Sequence, residues 1–172
     1  MVTRSALIMM LALCTASAQA DIPPLYQRVA QKHGIPAKVL YALALGESKT
    51  PLTSGQVRPW PWTINFRRES YFYNTYDEAC KALHRFMSIS HIVDIGLTQH
   101  NWHWQKKHFS SPCAAFDPLT NLNHAAKLLL EGKRIHGNWV NAAGYFHRPA
   151  GGPKARRYEA TFATHLKQLS HL

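Results

Sequence analysis

Residues 36–48 read Pro-Ala-Lys-Val-Leu-Tyr-Ala-Leu-Ala-Leu-Gly-Glu-Ser, an almost unbroken apolar run that closes on a carboxylate. Leu40, Leu43 and Leu45 lie on more than one side of a 3.6-residue period, so this stretch predicts a helix buried all round. A chain carrying such a helix must wrap other elements about it. Pro36 suits its start, where a missing N–H has no partner to lose. At about 100° per residue, Glu47 falls roughly 20° from Leu40 around the axis. Its carboxylate is then aimed where the leucines are aimed. Burial and the negative end of the helix dipole both favour the protonated form of such an acid. A carboxylic acid held neutral near pH 7 is what general-acid catalysis requires. The residues alone leave a second reading open, in which Glu47 turns to the surface just past the helix.

The start of the chain reads differently. Arg4 precedes the apolar run 6–13, and Ala18-Gln19-Ala20 follows. A basic region, a short apolar region and an A-x-A site predict a secretory signal peptide over 1–20, with a single domain over 21–172 and a periplasmic location. The apolar run is too short to span a bilayer, and no later stretch is long enough, so no membrane span is expected in the mature chain. Leu13 is bulky where a lipoprotein signal ending at Cys14 would place a small residue. The mature chain of roughly 150 residues can bury about two-thirds of its unfolded surface without a metal to fold around. The formal charge of +11 falls by one when Arg4 leaves with the leader. For an exported chain, that charge points to wall polymers, peptide carboxylates or membrane surfaces rather than nucleic acid.

Along the chain, Pro23, Pro24, Leu25, Val29 and Ala30 predict a first helix over 22–33 with Gly34 as its stop. Residues 57–66 hold two prolines among aromatic and β-branched residues and predict extended chain, with 71–73 as a pairing partner. Thr75 and Glu78 have capping-box spacing and open a helix to about Ser88. Residues 92–105 carry no clear period, and 109–116 read as loop. Asp117-Pro118 starts a helix that reaches Gly137, and Asn138 caps another to about His147. A turn-rich loop over 149–153 leads to a basic amphipathic helix over 154–169. The fold expected is mainly α, with a small extended or hairpin region near 57–73.

Nine acidic residues are few enough to sort singly. Asp21 starts the mature chain; Asp77, Glu78 and Asp117 sit at helix starts; Glu131 and Glu159 belong to solvated helix faces. Glu69 follows Arg67-Arg68 and reads as a surface ion-pair residue. Asp94, between Val93 and Ile95, reads as buried with a structural bond to backbone. Glu47 is left as the acid–base candidate. The densest histidine group, His100, His103 and His108, lacks His-Glu-x-x-His or Cys-x-x-Cys spacing, so neither a metal nor a cofactor is expected. Cys80 and Cys113 remain in an exported chain, which suggests one disulfide; two separate buried thiols are the alternative, and a Cys–His nucleophile pair a weaker one. Trp60, Trp62, Trp102, Trp104 and Trp139 lie near loops or element ends. Exposed aromatic faces stack on sugar rings, and buried ones are core.

Five segments then carry a resemblance: Gly34-Ile35-Pro36 with Leu45-Gly46-Glu47-Ser48; Arg58 to Asn65; Asp94-Ile95-Gly96-Leu97-Thr98-Gln99-His100-Asn101-Trp102; Phe116 to Leu122; and Ala143 to Pro149. In this order they resemble the lysozyme-like lytic transglycosylases of the SLT type, and more narrowly the small members associated with conjugation and type IV secretion systems. The resemblance implies an α+β lysozyme-like fold and a carbon–oxygen lyase acting on peptidoglycan glycan strands. Glu47 would be the single acid/base; Ser48 would hold the hydrogen-bond network of the substrate site, Gln99 and Asn101 would line the glycan groove, and Tyr145, Phe146 and His147 would face Glu47. The bond cut would be that between N-acetylmuramic acid and N-acetylglucosamine, with a 1,6-anhydro product. Components of a conjugation or secretion apparatus would be partners. Two positions depart from the family pattern: Thr98 replaces a Met, and Phe146 stands where the pattern has Tyr, with Tyr145 one residue earlier. The alternatives are a hydrolase of the same fold, needing a second carboxylate, and a catalytically weak peptidoglycan-binding module.

Overall fold

The structure, a computed structural model, describes residues 22–169. The leader expected over 1–20 lies outside them. The fold is mainly helical with a small antiparallel sheet. Among the described residues no helix is long and apolar enough to cross a membrane.

Helix α1, Pro24–His33, ends on Gly34, whose φ of 65° lets its N–H reach back to the carbonyls of Ala30 and Gln31. Helix α2, Ala37–Ser48, follows after two residues and is the core of the molecule, as its composition predicts. Leu40, Ala42, Leu43 and Ala44 have no solvent exposure at all. Side chains from α1, α2 and three later helices form one apolar cluster around it.

From the end of α2 the chain runs straight into β1, Lys49–Pro51, which pairs antiparallel with β2, Val57–Pro59. The extended stretch expected over 57–66 is therefore two strands. Trp60–Trp62 interrupt it, because two prolines remove ladder donors. The second piece, β3, Thr63–Phe66, pairs with β4, Glu69–Phe72, as the hairpin reading requires. Helix α3, Tyr76–Met87, carries the complete capping box of Thr75 and Glu78.

The stretch without a clear sequence period completes the sheet. Strand β5, Val93–Ile95, pairs with β3, and β6, His100–Asn101, pairs with β5. Single-turn helix α4, Trp102–Gln105, follows. The strand period of two sorts this sheet into a core face and a site face. Ile64, Ile95 and His100 form one cross-strand row and are buried. Asn65, Asp94 and Asn101 form the next row, on the opposite face.

Residues 113–116, expected as loop, form a turn of 3-10 helix. Cys113 in that turn is disulfide-bonded to Cys80 of α3, with Cα atoms 5.3 Å apart. Closing a loop of this length lowers the unfolded chain's entropy by an amount worth about 4 kcal/mol. Helix α5, Pro118–His136, starts as predicted, with Asp117 Oδ1 accepting from the Thr120 N–H at 2.8 Å. Helix α6, Trp139–His147, is capped by Asn138. Helix α7, Pro153–Gln168, closes the fold. A second apolar cluster joins the sheet to α3 and the 109–116 segment. The candidate site lies between the two clusters.

Candidate functional site

Glu47 emerges at the carboxyl end of α2, where the helical cluster meets the sheet. Its side chain is only 12 % exposed, so the inward reading of the sequence holds. Its Oε1 is sealed from solvent and has no hydrogen-bond partner. Leaving an acceptor unpaired in this way costs free energy. The carboxyl group lines a cavity of about 720 Å³ that also takes in Asp94, Gln99, Asn101, Trp104, Phe146 and His147.

Gln99, Asn101, Phe146 and His147 therefore line the same cavity as Glu47. Gln99 sits at φ 47° on the turn between β5 and β6. Its amide nitrogen donates to the carbonyls of Gly96 (2.8 Å) and Thr63 (3.2 Å), which leaves its carbonyl oxygen to offer to the cavity. Asn101 donates from Nδ2 to Asp94 Oδ1 at 2.8 Å, and its own buried Oδ1 is unpartnered. His147 Nδ1 lies 3.8 Å from Glu47 Oε1.

Ser48 and Tyr145 do not line the cavity. Ser48 is buried beneath it. Its hydroxyl donates to the Leu97 carbonyl at 2.7 Å, which ties the end of α2 to the 96–99 turn. Tyr145 turns away from Glu47, because one step along α6 rotates the side chain by about 100°. Its hydroxyl donates to Glu131 at 2.9 Å, in a smaller adjoining depression.

A hydroxyl that the sequence did not single out also lies at Glu47. Tyr158 of α7 stacks its ring parallel on His147, centroids 4.3 Å apart. Its buried hydroxyl faces Glu47; burial first, and then the carboxyl group, raise the phenol's pKa well above the usual value. Like Glu47 Oε1, this hydroxyl makes no hydrogen bond of regular geometry. Both atoms keep hydrogen-bonding capacity that the fold leaves unused.

Asp94 is a second correction. It bonds to a side chain, Asn101, and not to backbone, and it opens on the same cavity as Glu47. Burial raises its pKa to about 6; the Asn101 bond pulls down and the Glu47 charge pushes up. An unfolded Asp titrates near 3.8. Between those values the unfolded chain has lost the proton that the folded one keeps, so stability falls as pH rises through the window and stays lowered above it. Asp94→Asn is accordingly expected to raise unfolding free energy at pH 8 by about 1–3 kcal/mol and to change nothing at pH 4. Urea titrations at the two pH values check this; an equal gain at both would contradict it. Glu69, the other acid considered, accepts from the Tyr71 hydroxyl at 2.6 Å on the surface and pairs with neither arginine.

The Thr98 departure is absorbed by a buried network. Thr98 Oγ1 donates to Asn121 Oδ1 at 2.6 Å, so its lone pairs face His100 Nε2 at 3.0 Å. His100 then carries its proton on Nε2, which also reaches the Asn121 carbonyl. Burial, then neighbouring His124, push the His100 pKa down to about 3, so the ring is neutral. His100 thus belongs to the core, while His103 packs against Trp104. Among the described residues, the set that comes within ligand spacing is Cys80, His84 and Cys113, and the disulfide uses both thiols.

Compared with protein-family models, curated proteins and solved structures, the chain finds no match.

Proposed function

We propose that the protein is an exported lytic transglycosylase acting on peptidoglycan glycan strands. The observation that carries this is Glu47: a nearly buried carboxyl group with an unpaired oxygen, opening on a cavity walled by polar side chains. The five-segment sequence resemblance supplies the reaction class. Glu47 protonates the glycosidic oxygen as the bond to the muramoyl anomeric carbon breaks. The muramoyl 6-hydroxyl closes on that carbon, and the Glu47 carboxylate accepts its proton. The acid is regenerated, water is not consumed, and the product is a 1,6-anhydro end. Gln99 presents its carbonyl oxygen to sugar hydroxyls and amides, and Asn101 lines the groove beside it. The Tyr158 hydroxyl donates toward Glu47 when the carboxylate is ionised, and His147 holds that ring in place. Local opening of the wall for a conjugation or secretion apparatus is the role that fits the small size and the exported state.

Asp94 favours a second reading. A second carboxyl group in the same cavity could orient water, as in a hydrolase of this type. Digestion of purified peptidoglycan, with mass spectrometry of the released muropeptides, separates the two. Anhydro ends are the expected result; reducing ends would assign the chain to hydrolysis.

A further inference from the structure

Four of the five tryptophans are held in place by the fold. Trp102 is buried, and Trp60 Nε1 donates to the Tyr73 carbonyl at 2.7 Å. Trp62 packs edge-on against Trp60, and Trp139 packs on the helical core. Trp104 is different: it is 72 % exposed, and the ring contact it makes is edge-on to exposed His103, centroids 4.4 Å apart. Its backbone is nevertheless fixed. Trp102 anchors the start of α4 in the core, and at its end, on the same face, Gln105 Oε1 meets His124 Nε2 at 2.8 Å. Two residues beyond Trp102 is about 200° around a helix, so Trp104 is presented outward from a pinned turn.

Its position in the groove gives this exposure a use. Trp104 lines the Glu47 cavity and also a second depression of about 240 Å³. The two are continuous through Trp104, Leu128, Phe146 and Pro149. Lys107 and Tyr145 line the far side. A substrate long enough to run from Glu47 into the second depression passes the residues that wall both, and Trp104 is the one among them with a largely exposed aromatic face. An aromatic face kept in water loses that exposure when the C–H face of a pyranose covers it.

Resting on the glycan reading above, we propose that Trp104 is a stacking platform for a sugar ring beside the scissile bond, and that the strand runs from Glu47 across Trp104 toward Lys107. The platform sets where the strand lies; it takes no part in the proton transfers.

The test is titration of the Glu47→Gln variant with the β-1,4-linked hexamer of N-acetylglucosamine, followed by tryptophan emission and calorimetry. Binding with a blue-shifted emission is expected. Adding Trp104→Ala should weaken the affinity between about threefold and tenfold and remove the shift, and Trp104→Phe should restore most of the affinity. Because the side chain is exposed, melting temperature should not move. Equal affinity in the Trp104→Ala protein would overturn the platform, and so would failure of the hexamer to bind Glu47→Gln. Muropeptide analysis on the wild-type protein is independent of both outcomes. Anhydro ends there would keep the transglycosylase reading standing while the platform falls.

Discussion

Glu47→Gln is expected to cut the rate of muropeptide release by about 10²- to 10⁴-fold, the usual weight of a positioned general acid–base. The amide has the shape of the acid and cannot give up or regain a proton in the reaction. It should also fold. Glu47 Oε1 makes no hydrogen bond that the change would break, and the neighbouring His147 ring and Tyr158 hydroxyl can each meet an amide. The loss should therefore appear in the rate, with little change in melting temperature. Asp94→Asn gives the contrast. If the muramoyl hydroxyl is the nucleophile, Asp94 has no bond to make, and its replacement should leave the anhydro product as the end formed. A Glu47→Gln protein that digests peptidoglycan within a few-fold of wild type would remove Glu47 from the chemistry.

What could be read before the fold was seen follows from the range of each signal. Helix starts are local, and they were legible: Thr75 with Glu78, Asp117 with Pro118, and Asn138 each cap as their spacing requires. The apolar run of α2 fixed both the centre of the core and the inward aim of Glu47. Residues 92–105 carry too little pattern to read, because β5 and β6 are only three and two residues long; β5 takes its register from β3, some thirty positions earlier, and β6 follows β5. The bond made by Asp94 is hidden by the shortness of the same strands. Its partner is the side chain of Asn101 across a strand pair, which no local pattern announces. Reading 145–147 as one face ignored the helix period, which separates Tyr145 from His147 by about 200°. Tyr158 left a faint trace: Ala155, Tyr158, Phe162 and His165 form a buried stripe on α7. A tyrosine in such a stripe needs a polar neighbour for its hydroxyl, and that need was the available signal.

Gly96→Ala is expected to be the most damaging small substitution near the site, at about 3–5 kcal/mol. Gly96 has φ 81°, which costs a residue with a side chain about 1–2 kcal/mol. An added Cβ would lie 2.5 Å from Asn121 Nδ2 and 2.7 Å from the Ala115 carbonyl oxygen. Neither can yield cheaply. The carbonyl is backbone in the 3-10 turn held by the disulfide. Asn121 is fully buried and bonded to the Thr98 N–H and hydroxyl and to the Ile95 and Ala115 carbonyls. Overpacking such a site costs about 1–3 kcal/mol, and each buried bond that is broken adds to it. For a chain of this size, the total lowers the melting temperature by on the order of 10 °C. Activity should fall further than stability, because the 96–99 turn carries Gln99 and the Leu97 carbonyl that holds Ser48 under Glu47. Gly34→Ala isolates the packing part of the effect. Gly34 has φ 65° but nothing within 4 Å of an added Cβ, so only the conformational cost of about 1 kcal/mol applies. Calorimetric melting of the two variants side by side should show a several-fold larger drop for Gly96→Ala. Equal drops would mean that the Asn121 network gives way easily, and that the geometry around Gln99 rests on something other than this packed turn.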